Sequence, residues 1–168
     1  LAALESQRRL PKVEPVGLRP LLEDLVASAQ ASGAARSIRV ELAPGELAWV
    51  EGEAFLLRRA IGNLLANALD FSPEGGLVRV ELLQRSRGVD IVVRDQGPGI
   101  PDYADARVFE KFYSLARPHS NKKSTGLGLP FVKEIAELHH GRVALRNGDG
   151  GGAVATLSLP AIEAPPAA

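Results

Sequence analysis

An α/β sandwich, a mixed and largely antiparallel sheet covered by helices on one face, is the fold class predicted by three observations in the sequence. Glu53 to Phe71 carries Leu57, Ile61, Leu64, Leu65, Ala68 and Leu69 at helical spacing. Leu77 to Leu83 and Val89 to Asp95 alternate apolar and polar residues on either side of a short break, Arg85 to Gly88, which is the pattern of a hairpin. Helical and extended segments are interspersed along the rest. Strands joined by short turns must then pair antiparallel, with the helices layered on the sheet.

The elements follow in order. Leu1 to Leu10 has loosely helical spacing and is stopped by Pro11 and Pro15, as the tail of a helix continuing from something upstream or a remnant. Val16 to Leu18 is a short strand, and Arg19 to Ala31 an amphipathic helix with Leu21, Leu22, Leu25, Val26 and Ala29 on one stripe. Ile38, Val40 and Leu42 alternate as a strand; Pro44-Gly45 turns the chain into a second short strand, Leu47 to Val50. The long helix Glu53 to Phe71 ends at Ser72-Pro73-Glu74-Gly75-Gly76, and the hairpin follows. From Asp102 to Thr125 the pattern weakens into a long loop, the apolar knot Val108 to Tyr113 followed by the polar and basic stretch Ser114 to Ser124; loops of that length are usually functional or disordered. Gly126-Leu127-Gly128-Leu129 opens a helix with Pro130 in its first turn, a core face of Leu129, Val132, Ile135 and Leu138, and Gly141 as its C-cap. Val143 to Leu145 and Ala153 to Leu159 are strands around the glycine-rich turn Gly148 to Gly152, and Ala161 to Ala168 is a disordered tail.

Composition removes several functions. Twenty basic residues balance twenty acidic ones, which argues against a nucleic-acid footprint or a polybasic membrane patch. No apolar run approaches the roughly 18 residues of a membrane span, and no signal peptide is evident. Zero cysteines exclude disulfide and thiolate chemistry and fit a cytosolic setting, and three isolated histidines do not suggest a zinc site.

Three stretches carry chemistry. Val89, Ile91, Val93 and Asp95 share one strand face, so Asp95 brings a carboxylate to an apolar surface, where it is costly unless a donor meets it. Gly97 and Gly99 permit positive φ and close backbone approach beside it; an exposed turn is the plain alternative. Asn63 and Asn67 lie one turn apart in an apolar helix, between Arg59 and Asp70, as a polar strip facing a site. An amide oxygen suits Mg²⁺, which takes its other ligands from waters and phosphates, whereas a lone asparagine would be a satisfied core amide. Gly126 to Gly128 offers backbone N–H groups and a helix dipole to an anion, with Arg117, Lys122 and Lys123 in the loop before it; a flexible turn and a solvated basic loop are the alternatives.

Together these stretches resemble the catalytic, ATP-binding domain of sensor histidine kinases, in the superfamily shared with gyrase, Hsp90 and MutL. The resemblance runs from about Val16 to Leu159 and rests on four ordered motifs: Asn63-Leu64-Leu65-Ala66-Asn67-Ala68, Asp95-Gln96-Gly97-Pro98-Gly99-Ile100, Phe109-Glu110-Lys111-Phe112-Tyr113 and Thr125-Gly126-Leu127-Gly128-Leu129. It implies the Bergerat fold of that superfamily, with residues 1–15 as the end of a phosphoacceptor and dimerisation helix plus linker, 16–160 as the catalytic domain, and 161–168 as a tail. It also implies that Asp95 accepts the adenine amino group, that Gly97, Gly99 and Ile100 shape the pocket, and that Asn67 holds Mg²⁺ with Asn63 in support. Phe109 to Tyr113 would anchor a lid, mobile without nucleotide, and Thr125, Gly126, Leu127, Gly128 and Leu129 would bring backbone to the phosphates. Asp70 departs from the family's Lys or Arg, which passes the expected phosphate contact to Lys122, Lys123 or Arg117.

The activity so implied is transfer of the ATP γ-phosphoryl group to a histidine on a separate domain, in two-component signalling with a cognate response regulator. The intact protein would be a membrane-bound homodimer with this domain in the cytosol. His119, His139 and His140 lack the acidic neighbour of a phosphoacceptor, so the chain is expected to bind ATP and Mg²⁺ without phosphorylating itself. Two rivals stand beside this reading. A gyrase- or Hsp90-like ATPase would need a glutamate where Asn63 stands, to activate water, and a non-catalytic nucleotide-binding module has Asp70 as its only support.

Overall fold

A computed structural model describes residues 12–99 and 128–166 of the chain. Two sheets and three helices make up these parts. Strand β1 (Glu14–Gly17) leads into helix α1 (Leu18–Gly33), a single 3₁₀ turn (Ala34–Arg36) and strand β2 (Arg39–Leu42). Strand β3 (Trp49–Gly52) leads into helix α2 (Ala54–Phe71), then the hairpin of β4 (Leu77–Gln84) and β5 (Gly88–Arg94). Helix α3 (Gly128–Leu138) precedes a second hairpin, β6 (Arg142–Asn147) and β7 (Ala153–Pro160). The main sheet has the order β2-β4-β5-β7-β6, antiparallel except for the parallel β2–β4 pair.

Helix α2 is the centre of the core. Its apolar residues recur at three- and four-residue intervals, so Leu57, Ile61 and Leu64 fall on one stripe and are fully buried. Each contributes about 1.5–3 kcal/mol by leaving water. The stripe lies on the inner face of the sheet, formed by Val78 and Val80 of β4, Ile91 and Val93 of β5, and Leu157 of β7. Glu53 starts the helix as its N-cap, its carboxylate accepting from the N–H of Phe55 (3.4 Å) and Leu56 (3.0 Å). The other end is closed from a distance. The Arg36 guanidinium donates to the carbonyls of Leu69 (2.9 Å) and Ser72, placing a cation on the negative end of the dipole.

The outer face of the sheet is laced with ions instead. Arg79 pairs with Glu41 at 2.7 Å, Arg94 with Glu81 at 2.9 Å, and Arg85 reaches Asp90 at 2.5 Å. Asp90 is 2% exposed, so at this position the outer face also buries a charge, which the exposed Arg85 closes over.

Four expectations need correction. Pro44-Gly45 does not join β2 and β3 as a hairpin: β3 pairs antiparallel with β1 in a separate two-stranded sheet, Val16 opposite Val50, while β2 runs parallel to β4. The hydrogen bond from Ala43 N to Val80 O keeps β2 on β4, and that from Leu18 N to Ala48 O draws the β3 side to β1. Leu18, expected in a strand, begins α1, and Glu14 and Pro15, expected in a linker, belong to β1. The left-handed residue ending α3 is His140 (φ 61°), not Gly141; with N–H bonds from His140 to Glu137 O and from Gly141 to Ala136 O, this is a Schellman cap. Gly141 is needed for space, since a Cβ there would run into Ser158 O. Ala161 and Ile162, expected in a disordered tail, are tied down: Ala161 N donates to Arg87 O (3.2 Å) and Ile162 N to Trp49 O (2.9 Å). The expected helix over Leu1 to Leu10 and the loop from Asp102 to Thr125 lie outside the described residues. Among those described, no helix is long and apolar enough to cross a membrane.

Candidate functional site

A cleft opens between α2 and the β5–β7–β6 end of the sheet. Leu64, Ala68 and Phe71 of α2 form one wall, and Val93, Leu145, Ala153 and Ala155 of the strands form the floor. Leu129 in the first turn of α3 closes one side. The space, counted together with the solvent of its open mouth, is about 550 Å³. Two polar side chains interrupt the apolar lining: Asn67 from the helix and Asp95 from the end of β5.

Asp95 is held rigidly. Its Oδ1 accepts from the N–H of Gly97 (2.9 Å) and of Ala153 (3.2 Å), and its own N–H donates to Ala153 O at 3.0 Å. Among the described residues, Oδ2 has no partner. Burial pushes the carboxyl above its ordinary value of 3.8, and the two N–H donors pull partly back. A half-buried carboxylate with one oxygen fixed and the other directed at an apolar cleft suits a neutral N–H donor on a flat apolar ligand.

Glycines make the contact possible. Gly97 lies so close to Phe71 O that a Cβ would collide with it. Gly99 has φ 82° and abuts the side chain of Asn147. Gly152 has φ 74°, and a Cβ there would strike Asp95 O; its absence lets the β6–β7 turn press against the strand end.

The residues singled out in the sequence divide into three groups. Asn67, Asp95, Gly99 and Leu129 line the cleft together, with Gly97 behind Asp95. Asn63 is half-buried one turn earlier on α2 and does not line the cleft, nor does Asp70. Arg59, at the other end of the expected polar strip, lies over the rings of Phe131 (5.0 Å) and Phe55 (5.9 Å), so it rivets α2 to α3 rather than facing the site. Gly128 is the first residue of α3. Ile100, Phe109, Tyr113, Arg117, Lys122, Lys123, Thr125, Gly126 and Leu127 lie outside the described residues.

Sequence reasoning missed Gly152 and Ala153, which position Asp95, and Ala155, which forms the floor beside it. Gly148 to Gly152 read as a plain hairpin turn. The only signal was a glycine placed directly before a strand, which marks a close backbone approach.

The residues fit a nucleotide with a divalent cation in one respect each. The Asp95 carboxylate can accept an exocyclic amine, and the Asn67 amide is a neutral oxygen ligand at the cleft rim. Among the described residues no group of three His, Cys, Asp or Glu side chains gathers to hold a metal, so a cation here would draw most of its ligands from phosphates and water.

The family described as histidine kinase-, DNA gyrase B- and HSP90-like ATPase (HATPase_c) matches residues 52–163. The sensor protein CreC of Escherichia coli K12 is 47% identical over 126 residues, 75% of this chain and 26% of CreC. The mycobacterial sensor histidine kinase MprB superimposes with a TM-score of 0.78 at 30% identity, covering 89% of this chain and 98% of that one. Full-length ShkA in complex with AMPPNP superimposes with a TM-score of 0.80 at 26% identity, covering 93% of this chain and 32% of ShkA. The chain thus spans about a quarter of CreC.

Proposed function

The chain belongs to the family of histidine kinase-, DNA gyrase B- and HSP90-like ATPases, alongside sensor histidine kinases, and on that premise we propose that it delivers the γ-phosphoryl group of ATP to a histidine on a separate domain. The observation that carries this reading is the convergence of Asp95 and Asn67 on one apolar cleft. Asp95 takes the adenine amino group through Oδ2, and the apolar walls from Leu64, Phe71 and Val93 hold the ring. Guanine would turn a carbonyl oxygen toward the carboxylate, which selects for adenine. Asn67, on the α2 wall of the same cleft, would hold Mg²⁺ beside the phosphates, and the ion would supply neutralisation of charge during transfer. The AMPPNP complex of ShkA supports nucleotide use by this fold.

Asn63 decides between transfer and hydrolysis. A water-activating base belongs one turn before the metal-binding Asn67, and an amide there takes no proton. Transfer therefore rests on positioning an incoming imidazole and on charge neutralisation. The phosphoacceptor and dimerisation domain of the same protein is the proposed partner, with a response regulator downstream. The intact protein is proposed as a membrane-bound homodimer with this domain in the cytosol. Lys122, Lys123 and Arg117 are the candidates for the γ-phosphate contact in place of Asp70.

The test is a calorimetric titration with ATP, with and without Mg²⁺, followed by mixing with a histidine-bearing phosphoacceptor fragment and radiolabelled ATP. Binding and label transfer are expected, with no stable self-labelling and negligible hydrolysis. Rapid turnover by the domain alone would assign it to the ATPases instead.

A further inference from the structure

The floor of the cleft breaks the packing pattern of the sheet that builds it. Inner-face positions of β4 and β5 are all Val, Leu or Ile, from Val78 to Val93, and β7 agrees at Leu157 and Leu159. Nearest Asp95, however, β7 carries Ala155 and then Ala153. Ala155 lies opposite Val93 on one neighbour and opposite Leu145 on the other, a methyl between two larger side chains on one rung. The helix above does the same. Its inward series Leu57, Ile61 and Leu64 ends in Ala68, which lines the same cleft.

Small residues in a core either draw backbones together or leave space, and interiors leave little space unfilled. Here they leave space, because all three alanines line the open cleft. Its position is set by the bond from Ala153 N to Asp95 Oδ1 at 3.2 Å: the alanine-bearing strand backs the carboxylate itself. A purine whose exocyclic amine meets Asp95 has that edge beside Ala153, whose N–H holds the same carboxylate. An amine carrying one substituent keeps one N–H for the carboxylate, and the substituent needs room beside it.

We infer that the cleft continues past Asp95 into an alanine-walled recess, and that it accepts adenine nucleotides bearing a hydrophobic group on the exocyclic amine, with Ala155 setting the size limit. This rests on the assignment of Asp95 to the adenine amine. A larger residue at position 155 fills the recess.

The probes are ATP and ATP benzylated on its exocyclic amine, titrated into the whole chain by calorimetry. The unmodified chain binds the benzylated nucleotide within about tenfold of ATP, and Ala155→Leu weakens the benzylated one by at least about tenfold more than it weakens ATP, since one hydrophobic side chain's worth of space carries discrimination of this order. Ala153→Val, a change suited to a strand, provides the same comparison if Ala155→Leu unfolds. Tight ATP binding with rejection of the benzylated nucleotide by the unmodified chain, or equal weakening of both nucleotides in the variants, overturns the recess alone. Failure of both nucleotides to bind overturns the adenine assignment and the recess with it.

Discussion

Asp95 and Ala153 are joined by a reciprocal pair of hydrogen bonds: Ala153 N donates to the Asp95 carboxylate at 3.2 Å and Asp95 N donates back to Ala153 O at 3.0 Å. The pair fixes the carboxylate on the end of β5 against the start of β7, with one oxygen left for the cleft. A binding group on rigid strands, rather than on a mobile loop, is aimed before any ligand arrives, which lowers the cost of ordering it on binding.

Asp95→Asn keeps the shape and the acceptor for Gly97 and Ala153 but loses the charge. ATP affinity should fall about 10- to 100-fold, the scale of one charge-assisted hydrogen bond. Calorimetry checks it, and unchanged affinity would remove Asp95 from the adenine contact.

Acid should act in two opposed directions through the same carboxyl. Burial raises its pKa above 3.8, so as pH falls the folded state takes up this proton before the unfolded chain does. Its contribution to stability therefore improves between the raised value and 3.8. Over the same interval the charged acceptor is lost and adenine binding weakens. Titration with adenosine, which has no phosphate to protonate, should show affinity falling with acid in the natural chain and much less change in Asp95→Asn.

Gly152→Ala should damage the site from outside the cleft. It places a Cβ at φ 74° against Asp95 O, a strain on the order of 1–3 kcal/mol. A lower Tm together with weaker ATP binding is expected. Gly150→Ala, where a Cβ meets nothing within 4 Å, serves as the control and should leave ATP affinity unchanged.

Asn67→Ala should abolish the gain in ATP affinity produced by Mg²⁺, by about a factor of ten or more, the scale of one lost contact to a charged group. Binding without Mg²⁺ should change far less. A Mg²⁺ effect of undiminished size in the variant would take Asn67 out of the metal's coordination.

His139 gives the fold its own pH dependence. It is buried beneath the α3 cap, with Nδ1 donating to Ile135 O at 2.7 Å and Nε2 accepting from Glu53 N at 3.1 Å, an arrangement that requires the neutral ring. Burial holds its pKa below 6.5. The unfolded chain therefore binds this proton first. The stability contribution is intact above 6.5 and is lost as pH falls toward the lowered value, at up to about 1.4 kcal/mol per pH unit for one proton. Urea midpoints measured from pH 8 down to 5 should decline, and His139→Gln should flatten that decline; an identical decline in the variant would point to another group.

The pattern of apolar residues made some parts of this molecule legible and left others hidden. Helix α2 and the β4–β5 hairpin could be read because their periods of 3.6 and 2 are recorded residue by residue along the chain. Asp95 and Asn67 stood out because each sets a polar group among apolar neighbours. Arg59 could be placed on the surface of α2, but whether that surface met the cleft or Phe131 depended on where α3 packs.

By itself, then, the sequence determined α2, the β4–β5 hairpin, the two polar groups of the site and the family's ordered motifs, because local periodicity and spacing are properties of a single stretch. Tertiary structure decided which strands became neighbours, sending β3 to β1 and β2 to β4, and it brought Ala153, 58 residues from Asp95, against the carboxylate. Those choices depend on long-range hydrogen bonds and on a shared core, in which distant segments compete for the same surface. No window of residues read alone contains the outcome of that competition.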